Sequence, residues 1–455
     1  MYIAGMISTV QNIVWGPILM VLLVGTGLFL TIRYRFLQIR GFGHGFAILS
    51  GKYDRKRDPG EITHFQALTA ALSATIGTGN IVGVAAAILM GGPGALFWMW
   101  ITAIVGMASK FTSCTLAVKY RRVDENGVAH GGPMHFIELG MGKNFKWLAI
   151  LFALFTMLAS FGIGNMFQIN NMAVSLSFLL QGHEQPSFLF NLISGIVIAG
   201  LVGAVILGGI KSIGKVAARI VPVMFIFYVG AGLIILFKNY AAIPAAFQDI
   251  FYYAFNTPEA LAGGLLGTVI RSGVSRGLFS NEAGLGSASI AHGAARTDEP
   301  VREGLVAMLE PFIDTILVCS ITGLIIIVTG AHETCFIKGE LTARAFETGL
   351  GSILGGKIVA LAIIFFAFST AISWSYYGDR ASDYLFGEKA VKPYRFFYLG
   401  FLVLGAVIKL DVVLGFSDIM NALMAVPNLI AMIVLSPVVA KLVKDYFSRM
   451  KNELK

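Results

Sequence analysis

The sequence predicts an all-α polytopic membrane protein of eleven spans: one extra N-terminal helix, then two sets of five spans inserted with opposite orientation. Three observations carry that prediction. Of 455 residues, 56% are hydrophobic and only 13% charged, and the mean hydropathy is +0.77; a soluble domain carries about 25% charged residues. The cations fall in alternate loops. Two apolar stretches, Ser73–Asn80 and Ser272–Gly284, lie about 200 residues apart and are interrupted by glycine and polar residues.

Taken in order, the spans are expected at about 10–32, 66–90, 95–119, 147–178, 189–209, 216–237, 262–287, 302–330, 352–378, 394–410 and 412–442. Each reaches or approaches the roughly 20 residues needed to cross about 30 Å of hydrocarbon, and the longer ones allow tilt. Of the 34 Lys and Arg residues, 27 fall in or beside one set of alternate loops and 5 in the other. The positive-inside rule then places the N-terminus outside and the C-terminus in the cytoplasm, in a cell-membrane protein with an odd span count. It also accounts for the net charge of +9 without a nucleic-acid partner. Phe36–Gly51 reads as an interfacial segment on the inner surface, and Ile243–Phe255 as an amphipathic helix on the outer one. Cys114 and Cys319 lie in spans and only Cys335 in a loop, so no disulfide framework is implied. The chain reads as one transmembrane domain: 1–60 the extra helix and interfacial segment, 61–240 the first repeat, 241–445 the second, and 446–455 a cytoplasmic tail.

The glycine breaks fall in spans 2 and 7, the first member of each five-span set. Matching interruptions in two halves of a membrane protein point to a binding site near the midplane, because unwound backbone in lipid is tolerated only where protein buries it or it lines a cavity. A broken helix leaves N–H groups at one stub and C=O groups at the other. The first suits a carboxylate and the second a cation, so one crossing point can hold a zwitterion and a metal ion together. In span 2, Gly77 and Gly79 let backbone approach a ligand, Thr75 and Thr78 add hydroxyls, and Asn80 can cap the next half-helix. In span 7 the backbone at Gly273, Val274, Ser275, Arg276 and Gly277 is the expected counterpart. Close helix packing is the competing use of such glycines.

Span 9 supplies adjacent hydroxyls at Ser369 and Thr370, with Ser373 a turn away. With carbonyls near Ala74 and Gly77 they would suit a hard monovalent cation, although hydroxyls bonded within their own helix would look the same in sequence. No Asp or Glu occupies span 2 or the core of span 9, which favours Na⁺ over H⁺ as the coupling ion. Gln168 in span 4 is a neutral donor and acceptor for an amine or carboxylate. Trp374, one turn from Thr370, would cap a pocket fit for a small side chain. Arg276 and Glu282 are an expected gate pair on the inner side. His332 and Glu333 lack the second histidine of a zinc protease helix, and no phosphate-binding loop of the ATPase type occurs. The chain therefore reads as neither enzyme nor ATP-driven pump, with no organic cofactor.

Ala74–Gly83, Gly91–Trp98, Gly131–Met134 and Ser275–Ser287, above all the run Ser280-Asn-Glu-Ala-Gly-Leu-Gly286, resemble the alanine or glycine:cation symporter family over nearly the whole chain. The resemblance implies a LeuT-type fold and Na⁺-coupled uptake of alanine or glycine; tolerance for D-alanine would fit a small pocket with few stereospecific contacts. It implies substrate contacts at Thr75, Gly79, Gln168, the Gly273–Arg276 backbone, Thr370 and Trp374. Membrane lipid and a small neutral amino acid are the expected partners, with no obligatory protein partner. A proton-coupled carrier of another small amino acid or amine is the alternative.

Overall fold

Proline cuts the first predicted span in two. A helix at Tyr2–Val14 stops at Trp15–Gly16, and a second runs Pro17–Arg33, because Pro17 has no N–H to continue the ladder and its ring fits the first turn of a new helix. The computed structural model describes residues 2–453 apart from 56, 126, 183–185, 257–266, 336, 338 and 409–410. Residues 262–266, the start of predicted span 7, therefore lie outside the described residues.

Among the described residues, eight helices are long and apolar enough to cross a membrane. Six follow single predicted spans closely: Ala95–Lys119 (span 3), Phe188–Ile206 (span 5), Gly209–Lys238 (span 6), Pro300–Val328 (span 8), Leu354–Phe386 (span 9) and Val391–Val407 (span 10). Span 4 runs to Gln181 through a π-helical turn at Gly162–Met166. The last helix, Asp411–Glu453, carries span 11 well beyond its predicted end. A ninth crossing is the broken pair His64–Thr75 and Thr78–Gly91, bent by 61°. The interfacial segment folds as Leu37–Arg40 and Phe42–Leu49, and the second amphipathic stretch as Ile243–Tyr253. Among the described residues the strands form one two-residue antiparallel pair, Arg122–Val123 with Ala129–His130.

Small residues let these helices approach closely. A Cβ on Gly232 would sit 2.3 Å from the Ile321 side chain, and one on Gly304 would sit 2.8 Å from the Phe111 carbonyl. Close approach of this kind replaces the hydrophobic drive that lipid removes.

Candidate functional site

Thr63 begins the first stub of span 2 as a capping box. Its hydroxyl accepts from the Gln66 amide at 3.2 Å, and the Gln66 side chain accepts from the Thr63 amide at 3.0 Å. The stub's last backbone bond runs from Ile76 N–H to the Leu72 carbonyl at 2.7 Å. The Ser73, Ala74 and Thr75 carbonyls lie beyond it, free for other partners. Asn80 stabilises the unwound turn by accepting from the Gly77 amide at 2.9 Å.

Span 9 docks on this turn through hydroxyls. Thr370 Oγ1 donates to the Ser73 carbonyl at 3.0 Å, Ser369 Oγ lies 3.4 Å from the same oxygen, and Ser73 Oγ donates to the Ser369 carbonyl at 2.7 Å. Ser373 Oγ bonds Ser73 Oγ at 2.9 Å. Gly77 keeps the contact close, since a Cβ there would lie only 3.0 Å from Thr370 Oγ1. Ser369 and Thr370 also bond the Phe366 carbonyl in their own helix, the within-helix use weighed from sequence.

Span 4 enters at its π-helical turn. Gln168 Nε2 donates to the Ile163 carbonyl at 2.9 Å, and its Oε1 is buried without a partner. Gly164 leaves room for Trp374, whose Cβ would otherwise be 2.2 Å away. Trp374 is fully buried, and its indole N–H has no partner. Ala74, Thr75, Gly77, Gly79, Gln168, Thr370 and Trp374 all line one cavity of about 20 Å³. That is room for about one water, so an amino acid enters only as the walls part. Ser369 stands beside it through Ser73.

Span 7 corrects the sequence reading. Its helix runs unbroken from Thr268 to Asn281, so Gly273, Val274, Ser275 and Arg276 lie inside it and their amides belong to its ladder. Gly273 and Gly277 instead form a packing seam against span 3. A Cβ on Gly273 would meet the Ala95 carbonyl at 2.3 Å, and one on Gly277 would meet Thr102 Oγ1 at 2.3 Å. The interruption comes five residues later, where Glu282, Gly284 and Gly286 take φ of 51°, 89° and 94° before the helix Ala288–His292. Gly273→Ala is expected to destabilise the protein by about 1–3 kcal/mol, since a backbone carbonyl cannot turn aside; a thermal melt in detergent checks it, and an unchanged midpoint would count against the seam.

Arg276 and Glu282 do not pair. Ser275 and Arg276 line a separate vestibule of about 310 Å³ with Gln11, Arg271 and Asp418, whereas Glu282 lines the small cavity and accepts from Ser287 Oγ at 2.5 Å. Phe279 belongs to both walls and partitions them. Asp314 joins the two breaks: it accepts from Asn80 Nδ2 at 2.6 Å and from Ser280 Oγ at 2.8 Å. Sequence reasoning missed Ile163, Phe279 and Asn421 in the cavity wall. Asn421 is 1% exposed and its Oδ1 has no partner. A lone amide in the apolar run 419–426 was the available signal.

On the face away from the vestibule, the chain is sealed by polar contacts. Glu61 N–H donates to the Ala294 carbonyl at 2.8 Å, and Arg296 N–H to the Ile62 carbonyl at 2.7 Å, joining the entry to span 2 with the exit from span 7. Glu303 receives both His64 and, at 2.5 Å, His292. Lys110 pairs with Glu310 at 2.8 Å. In the hairpin, the hydrogen bond to Asp383 at 2.9 Å raises the His130 pKa above its ordinary value, whereas burial pushes that of His135 down to about 4.

The model of the Sodium:alanine symporter family matches residues 1–455. The sodium/alanine symporter AgcS of Methanococcus maripaludis is 46% identical over 99% of this chain and 98% of its own. The probable sodium/glutamine symporter GlnT of Bacillus subtilis is 38% identical over 98% and 91%. Among solved structures, MhsT in complex with L-phenylalanine superposes with a TM-score of 0.55 at 12% identity, over 85% of this chain and 98% of that one; MhsT has the LeuT fold. The family match from end to end, and a relative near half identical over the same length, show that the chain belongs to the sodium:alanine symporter family.

Proposed function

We propose that this protein is a Na⁺-coupled symporter carrying a small neutral amino acid, alanine first and glycine or D-alanine after it, by alternating access. One observation carries the reading. The unwound turn of span 2, the π-helical turn of span 4, the break of span 7 and the hydroxyl face of span 9 converge on one cavity whose Gln168 Oε1, Trp374 N–H and Asn421 Oδ1 lack partners. A zwitterion supplies what these groups want: ammonium donors for the amide oxygens and carboxylate acceptors for the indole N–H. The Thr75 and Gly79 positions face the same ligand.

Na⁺ is assigned to the Ala74 and Gly77 carbonyls with the Ser369 and Thr370 hydroxyls, whose lone pairs stay available while their hydrogens point at carbonyls. Ion binding there ties span 2 to span 9 and orders the turn that receives the amino acid. Coupling follows if only the empty and fully loaded protein changes face. With about 2.3 kcal/mol per charge per 100 mV and a tenfold Na⁺ gradient, one Na⁺ sustains an amino-acid gradient of roughly 500-fold. The proposed topology is eleven spans in a five-plus-five inverted repeat, N-terminus outside, so that the Arg276–Asp418 vestibule opens outward with Phe279 as its floor.

In proteoliposomes, labelled alanine counterflow is expected to require Na⁺ on the alanine side. Flow indifferent to Na⁺ defeats the coupling. The second reading, a proton-coupled carrier of a small amino acid or amine, rests on the Glu282 carboxylate in the cavity wall. Uptake driven by a pH step without Na⁺ would favour it.

A further inference from the structure

Four cations gather around a pocket far from the transport site. The pocket holds about 420 Å³ and lies between the end of the Pro17–Arg33 helix, the interfacial turn that follows it and the end of the last helix. Arg33, Arg35, Arg40 and Lys444 all line it, with Phe447 and Ser448, and no acidic residue does. Among the described residues, none of the four forms an ion pair with a carboxylate. Like charges brought together raise one another's energy unless an anion joins them.

The backbone is strained to hold them there. Arg35 and Phe36 are consecutive non-glycine residues at φ of 54° and 56°. Side chains disfavour that conformation, and two in succession persist only where the surroundings over-determine them. Arg40 fixes the turn from outside: its Nε donates to the Arg35 carbonyl and its Nη2 to the Tyr34 carbonyl, each at 2.8 Å. The arginine cluster is thus an ordered part of the fold. Arg33 lies 5.7 Å over the Phe29 ring.

What flanks the pocket decides the class of anion. Phe29, Ile32, Phe36 and Ile39 are large, exposed and interleaved with the three arginines. Apolar side chains and cations alternating at a helix end match a membrane interface, where acyl chains and phosphates lie within a few ångströms of each other. We propose that this pocket binds the phosphodiester headgroup of an anionic membrane phospholipid, with its acyl chains against Phe29 and Ile32. A lipid so held pins the interfacial turn to the last helix. The proposal is independent of what the cavity at the span 2 break carries.

Native mass spectrometry of the full-length protein in detergent tests it, with dioleoylphosphatidylglycerol against dioleoylphosphatidylcholine as probes. The wild type is expected to retain the anionic lipid preferentially. Each cation near the surface contributes about five-fold, so the Arg33→Gln/Arg35→Gln/Lys444→Gln variant loses on the order of 100-fold in that preference. Lys444→Gln alone, at an exposed helical position, is expected to lose about five-fold and guards against a triple variant that does not fold. Lys211→Gln/Lys215→Gln/Arg219→Gln, which removes three exposed cations elsewhere, is expected to leave the preference unchanged. Equal retention of both lipids by the wild type, or an equal loss in the two triple variants, overturns the proposal. Displacement of the lipid by millimolar glycerol phosphate would reassign the pocket to a soluble phosphate and overturn the lipid assignment.

Discussion

Replacing Ser369 and Thr370 together by alanine is expected to raise the Na⁺ concentration for half-maximal uptake on the order of 100-fold. Each hydroxyl offers a charged partner a contact of roughly 1.5–3 kcal/mol, and two losses at the lower end of that range give that factor. The pair sits against the Ser73 carbonyl at the end of the span 2 stub, where the backbone ladder has already stopped. Alanine affinity at saturating Na⁺ is expected to change less, since Gln168 and Trp374 are untouched and only the Thr370 contact is lost. Thr370→Ser keeps the hydroxyl and is expected to restore most of the ion dependence. Uptake titrated against Na⁺ in proteoliposomes separates these outcomes. An unchanged Na⁺ requirement in the double variant places the ion elsewhere.

Trp374→Ala is expected to relax side-chain selectivity most. The indole is fully buried and lines a cavity of about 20 Å³. An apolar pocket rejects an extra methylene by roughly 10- to 200-fold. Removing the ring is therefore expected to lower the alanine-over-valine preference by at least about ten-fold. The substitution also costs about 3–5 kcal/mol of stability, so the ratio of competing uptake rates, not the absolute rate, is the measure. Selectivity that survives the change would move the side-chain pocket away from span 9.

Much of this was legible in the chain because lipid removes alternatives. A run such as Ala95–Lys119 has to be a helix if its backbone is to be satisfied, and hydropathy alone placed it to the residue. The span 2 break was legible because Gly77 and Gly79 stand among threonines and an asparagine, residues that serve an unwound turn better than a helix. Span 7 was misplaced because glycine carries two meanings in a membrane. At Gly273 and Gly277 it means contact; at Gly284 and Gly286 it means a left-handed backbone. Spacing alone does not separate them, and Glu282, which shares that conformation, carries no mark of it. The π-helical turn at Gly162–Met166 was invisible for a related reason, since one extra residue in a helix leaves composition unchanged. Phe279 and Asn421 were missed because a partition and a wall are properties of how distant spans face one another.

The seam between Gly273, Gly277 and span 3 has a mechanical consequence. With no room for even a methyl group between them at Gly273 and Gly277, the two rods stay in contact, and a swing of one is expected to carry the other like a single lever. The natural fulcrum is then the left-handed kink from Glu282 to Gly286.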